Sequence, residues 1–114
     1  MSISPNLDDA ISAVSALNLR QDTYNSDARA DALERLLFET QERDTPEEVR
    51  MAAAALMNAA SSVDKEIVAA AMIASGGSVV RDLYIAVAAI AIAIAEFDAT
   101  VACLLAAARK AQER

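Results

Sequence analysis

The chain has 114 residues, of which 55% are hydrophobic and 4% aromatic, and its net charge is −7. Its 28 alanines, with only two glycines and two prolines, favour a few long helices over strands, which need frequent turns. The acidic balance gives no basic surface for nucleic acid and disfavours an anionic membrane, and the absence of histidine excludes the common histidine-based metal and nucleophile sites.

The first predicted helix spans about residues 5–18. Ser4 is a suitable N-cap, and Pro5 fits the first helical position, where a missing N–H costs nothing. An apolar stripe follows at the spacing of one helix face. It consists of Leu7, Ile11, Val14 and Leu17.

The second predicted helix spans about residues 27–43, with Ser26 as its expected N-cap. Its expected buried face consists of Leu33, Leu36 and Leu37. Phe38 points away from that face at 100° per residue. It is therefore either an isolated exposed apolar residue or a partner contact with another helix or subunit.

The third predicted helix runs from about 46 to 75. Its start is indicated by the sequence Thr45-Pro46-Glu47-Glu48, which has the pattern of a capping box. Gly76-Gly77 ends the helix, and Ser78 is the expected cap of a fourth helix, about 79–113. The two long helices should form an antiparallel hairpin.

The segment 84–97, YIAVAAIAIAIAEF, alternates apolar residues almost as a strand does. However, one face of such a strand would be alanine, which is depleted in strands, and no turn follows Ala95. A membrane span needs about 20 apolar residues to cross a hydrocarbon core of about 30 Å. The uncharged stretch 83–95 has 13 residues, which as a helix are about 20 Å long. Glu96 and Asp98 would also lie in hydrocarbon. The segment is predicted to be a buried helix, and a membrane role is disfavoured.

An unbroken heptad pattern passes through this segment, in steps of four and three. Its members are Leu83, Val87, Ile90, Ile94, Phe97, Val101 and Leu104. Ile85 and Ile92 form a second stripe, so the first half of the helix is apolar nearly all round and should be buried on several sides. Since one hairpin cannot cover it alone, we expect the two short helices or a second copy of the chain to do so, most simply in a twofold dimer.

No residue pattern indicates a catalytic, cofactor or metal site. Glu96 and Asp98 point to different sides of the helix, which disfavours a paired acid–base role. Cys103 lies among apolar residues and is expected to be a small core residue. Because it is the sole cysteine and no secretory signal is visible at the N-terminus, we expect a cytoplasmic location, with leaderless export or incorporation in a larger assembly left open.

The sequence therefore predicts a single all-α domain, with acidic N-terminal helices in residues 1–45 and a hairpin core in residues 46–114. We expect a non-catalytic module for self-assembly or scaffolding, which acts through protein–protein contacts. The alternative is an acidic adaptor or inhibitor that docks its N-terminal helices on a basic partner protein.

Overall fold

A computed structural model describes residues 3–23, 25–77 and 79–113 of the chain. They form four helices, α1 (Pro5–Ser15), α2 (Ser26–Thr40), α3 (Glu47–Ser75) and α4 (Val80–Glu113), and the described residues contain no strand. The predicted all-α fold, a long helical hairpin preceded by two short helices, is confirmed.

Both short helices begin with a side-chain cap and end earlier than predicted. The Leu7 amide donates to Ser4 Oγ at 3.1 Å, as expected, whereas α2 is capped by Asn25, whose Oδ1 accepts from the Ala28 amide at 3.2 Å. Ser26 is thus the first residue of α2 rather than its cap. Near the end of α2, Thr40 Oγ1 donates to the Leu37 carbonyl at 2.9 Å. Such hydroxyl bonds compete with further helical amides for the last carbonyls.

The hairpin is formed by α3 and α4, which pack against each other along most of their lengths. Pro46 occupies the N-cap position of α3, and Gly76 ends the helix with its amide bonded to the Met72 carbonyl at 3.0 Å. Gly77 then adopts φ 70°, a left-handed conformation that favours glycine. The expected cap of α4, Ser78, lies outside the described residues.

The N-terminal layer, defined as the described residues 3–45, covers only one end of this hairpin. Arg29, near the start of α2, contacts Asp64 of α3, whereas Leu37 and Thr40, near its end, line a groove with Ala53 and Met57. Helix α2 therefore runs antiparallel to α3, from the level of residue 64 back to about residue 53. At 15 residues it is about 22 Å long, whereas the whole molecule extends 54 Å.

The hydrophobic core is deepest where the N-terminal layer meets the hairpin. Fully buried side chains come from all four helices. The largest are Phe97, Leu7, Leu36, Leu56, Leu104, Val14, Val49 and Val63. Each side chain of this kind contributes about 1.5–3 kcal/mol when it is removed from water. The N-terminal layer and the base of the hairpin thus share one core.

Two adjacent leucines of α4 test this packing. Leu104 is fully buried, whereas Leu105 is 38% exposed. We expect Leu104→Ala to lower the free energy of unfolding by about 2–5 kcal/mol, because it leaves a cavity, and Leu105→Ala to lower it by less than about 1 kcal/mol. Urea unfolding followed by far-UV circular dichroism, at one protein concentration, measures both. Equal losses would contradict the observed orientation of α4.

Candidate interaction surface

The distal arm of the hairpin, defined as residues 65–77 and 79–92, extends beyond the N-terminal layer. Residues 69 and 86 line the same groove between α3 and α4. In an antiparallel pair, a step back along α3 matches an equal step forward along α4. Residue 64, where α2 begins to cover α3, lies five positions before residue 69 and therefore near the level of residue 91, five positions after residue 86. In the described parts of the chain, twelve large hydrophobic residues are exposed, and eight of them belong to this arm. They are Val68, Met72, Val79, Val80, Tyr84, Ile85, Val87 and Ile92.

One side of α4, in this arm and one turn beyond it, forms a continuous apolar surface, here named the outer face of α4. It consists of the exposed residues Tyr84, Ile85, Val87, Ala88, Ala91, Ile92 and Ala95. At 100° per residue they cover about 160° of the helix circumference, opposite the side that packs on α3. No charged residue occurs between Asp82 and Glu96. The exposure of Tyr84 and Ile92, 72% and 62%, shows that this side is open in the single chain.

The structure divides the residues of the predicted heptad pattern into two groups. Ile90, Ile94, Phe97 and Leu104 are buried, and Leu83 and Val101 are partly buried. Val87 is exposed, as are both members of the second stripe, Ile85 and Ile92. The physical reason is the position of the N-terminal layer, whose loop residues Arg20 and Thr23 reach α4 at a groove lined by Val87 and Ile90 and leave Ile85 and Ile92 uncovered. Within one chain, the all-round apolar stretch of α4 is therefore covered on one side only.

The N-terminal layer is attached to α3 by a buried guanidinium that the sequence analysis did not identify. The Arg29 side chain is 3% exposed and forms an ion pair with Asp64, to which its Nε also donates at 3.2 Å. Its Nη1 donates to the Thr23 carbonyl at 3.0 Å. Because the Asp64 side chain is 52% exposed, water reaches one side of the pair and reduces its desolvation penalty. The pair joins α2, the loop before it and the middle of α3.

A sequence signal for this contact exists, since Arg29, Leu33, Leu36 and Thr40 are spaced by four, three and four residues. Leu36 and Thr40 are buried and Leu33 is partly buried, whereas Leu37, expected on the buried face, is 49% exposed. The prediction for Leu37 was wrong because it assumed that the buried face is purely apolar. Phe38 is exposed on the opposite, acidic side of α2.

The described residues contain no group of three or more acidic, cysteine or histidine side chains that could hold a metal ion. Glu96 and Asp98 are both exposed. Cys103 is exposed and unpaired by any disulfide, so the expectation that it is a core residue was wrong. Eleven residues separate it from Ile92, which places it within about 20° of Ile92 around α4 and therefore on the side that faces solvent.

Comparisons with known proteins add no further assignment: no family model, curated protein or solved structure matches the chain. Among the described residues, α4 is the one helix long and apolar enough to cross a membrane, with a mean hydropathy of 2.0 and 28% of its most apolar window buried. The core helix of a soluble protein can meet the same criterion, which makes this weak evidence for a span.

The Arg29–Asp64 pair makes the attachment of the N-terminal layer testable by limited trypsin digestion. Arg20 and Arg43 lie in the loops around α2, whereas Arg50, Lys65 and Arg81 lie in α3 and α4. We expect the first cuts at Arg20 and Arg43, because protease needs locally unfolded backbone. Asp64→Ala should make these cuts several-fold faster, because Arg29 then loses its partner while remaining buried.

Asp98→Ala is the matched control, since it removes an exposed carboxylate from the hairpin without touching Arg29. Its cleavage rates should equal those of the wild-type chain. First cuts within residues 47–110, in either the wild-type chain or Asp64→Ala, would contradict an assignment of the hairpin as the more stable part.

Proposed function

We propose that the protein is a non-catalytic helical module that assembles with further copies of itself through the distal arm of its hairpin. The observation that carries the proposal is the outer face of α4, which is apolar from Tyr84 to Ala95 and exposed in the single chain. Soluble monomers rarely expose contiguous apolar surfaces of more than a few hundred Å². A second copy would remove this surface from water.

The distribution of charge supports the same proposal. Residues 3–45 carry 9 acidic against 4 basic residues, and residues 46–114 carry 8 against 6. The N-terminal layer therefore keeps the chain soluble, while the nearly neutral hairpin lets two copies approach with little repulsion. Alanines in the outer face, such as Ala88 and Ala95, would let helix backbones approach closely, and this favours specific packing.

The absence of catalysis is part of the proposal and rests on the chemistry of the site. The outer face offers the hydroxyl of Tyr84 as its one polar side-chain group. Neither histidine nor tryptophan occurs in the chain, and Cys103 is separated from the distal arm by about three helical turns. Such a surface can bind apolar groups but supplies no acid–base pair.

A second candidate function, an acidic adaptor or inhibitor, is favoured by one observation. Phe38 is 66% exposed on α2, and the neighbouring groove between the two ends of the N-terminal layer is lined by Glu39, Glu42 and Asp44. An aromatic anchor beside carboxylates suits a basic partner protein. In that case Phe38→Ala would abolish binding of the partner and leave the mass of the protein unchanged.

Substitution of one exposed residue in each half of the hairpin tests the lead proposal. Ile92 lies in the outer face of α4, whereas Met51 lies on α3 outside the distal arm, and their exposures are 62% and 66%. We expect the wild-type protein to be a monodisperse oligomer in size exclusion with light scattering, at two concentrations and without detergent. Ile92→Asp should shift the mass to that of a monomer, because assembly would bury an unpaired carboxylate.

Met51→Asp should retain the mass of the wild-type protein, and both variants should retain its helical circular dichroism. A wild-type monomer at both concentrations would refute self-assembly. A shift in mass with Met51→Asp but not with Ile92→Asp would place the interface elsewhere.

A further inference from the structure

Two oppositely charged residues bound the outer face of α4. Arg81 precedes its first residue by three positions, and Glu96 follows its last residue, Ala95. Both side chains are exposed, and within the described parts of the chain neither takes part in an ion pair. At 1.5 Å per residue they are about 22 Å apart along the helix. Asp82 is exposed next to Arg81 but points about 100° away from it, further from the side that carries Ile85 and Ile92. On that side the nearest charged group is therefore Arg81 at the end near the turn and Glu96 at the end nearer the middle of the hairpin.

The apolar residues between these charges have an internal symmetry. Ile85 and Ile92 are equally far from the point midway between Ala88 and Ala89, and so are Arg81 and Glu96. Arg81, Ile85, Ala88, Ile92 and Ala95 follow one another in steps of four, three, four and three, and therefore lie along one side of α4. If a second copy of the helix runs in the opposite direction about this midpoint, its Ile92 lies level with Ile85, and its Glu96 lies level with Arg81.

We infer that the occupant of the outer face is the same face of a second copy, packed antiparallel about a twofold axis near Ala88. This inference rests on the proposed self-assembly and specifies its surface, direction and register. In this arrangement Ile85 packs beside the partner's Ile92, and the two Ala88 methyl groups meet at the axis. Arg81 lies beside Glu96 of the partner subunit at both ends, since a twofold interface repeats every contact.

Charge complementarity favours this direction over the parallel one. In a parallel pair with the same residues in contact, Arg81 would face arginine and Glu96 would face glutamate, and like charges disfavour that pairing. In the antiparallel pair, the C-terminal half of each α4 also extends past the turn of the other hairpin. The two N-terminal layers, each with its excess of carboxylates, then lie at opposite ends of the assembly.

Cysteine cross-linking in a Cys103→Ser background distinguishes the two directions. Ala88→Cys should form a disulfide with its own copy, because the two positions meet at the axis. Ile85→Cys alone and Ile92→Cys alone should not, since each is displaced from its own copy by seven residues, about 10 Å. That separation exceeds the Cα distance of about 7 Å that a disulfide can bridge. A mixture of the two variants should cross-link efficiently.

The wild-type chain supplies an internal control. In the antiparallel register the two Cys103 residues are displaced by 29 residues, about 43 Å, so oxidation should give no covalent dimer. In a parallel pair they would lie at the same level on the contacting side of α4. Self-linking of Ile85→Cys or Ile92→Cys, or of wild-type Cys103, would overturn the antiparallel arrangement.

A charge exchange tests the register independently. Arg81→Glu and Glu96→Arg should each raise the dissociation constant of the dimer by about tenfold, because every dimer carries the repulsive contact twice. The double variant Arg81→Glu with Glu96→Arg should restore a constant close to that of the wild-type protein. Analytical ultracentrifugation at low salt measures all four proteins, and circular dichroism verifies their fold.

The outcomes separate this inference from the proposal on which it rests. An oligomer that fails to cross-link at Ala88, or that is not rescued by the double exchange, overturns the antiparallel register and leaves self-assembly in place. A monomer overturns both. A monomer that also co-sediments with phosphatidylcholine vesicles would assign the outer face of α4 to a lipid surface instead.

Discussion

The architecture depends on a difference in length between two pairs of helices. From Glu47 to Glu113 the chain turns once, at Gly76-Gly77, so α3 and α4 form a hairpin that determines the 54 Å length of the molecule. Helices α1 and α2 have 11 and 15 residues, and together with their loops they reach only to about residue 64 of α3. Apolar residues nevertheless continue to the tip of the hairpin. The distal arm is therefore apolar without being covered, and the proposed interaction surface follows from that mismatch.

The Arg29–Asp64 pair marks the boundary between the covered and uncovered parts. On one side of it, Leu36, Leu56, Val63 and Phe97 are fully buried, and α4 uses its heptad pattern as the core of an ordinary helical bundle. On the other side, the hairpin consists of two helices alone, which bury only the residues that face each other. A polar contact costs less desolvation at this boundary than inside the core, because the exposed carboxylate of Asp64 remains hydrated. The guanidinium of Arg29 also donates a hydrogen bond to the Thr23 carbonyl.

Helical periodicity was sufficient to predict the four helices, helped by end signals such as Ser4-Pro5 and Gly76-Gly77. Two predicted caps were wrong, because Asn25 rather than Ser26 caps α2, and Pro46 rather than Thr45 is the N-cap residue of α3, with no side-chain cap bond. The periodicity also placed Ile90, Ile94, Phe97 and Leu104 on one side of α4. It could not show how far the N-terminal layer extends, since that depends on where α2 packs along α3. The same limitation explains Cys103: its apolar sequence neighbours suggested burial, whereas its angle around α4 places it beside Ile92. Arg29 was missed because a charged residue was not considered as a member of a buried stripe.

The construction of the core also has a consequence for the order in which the chain folds. The buried sides of α1 and α2, with Leu7 and Leu36, pack into a core that includes Phe97 and Leu104 of α4, which is synthesised after them. Contacts between α3 and α4 begin beside a connection of four residues, 76–79, so their closure requires little loop entropy and should be fast. We therefore expect the hairpin to form first, and α1 and α2 to reach their final positions last although they are synthesised before it.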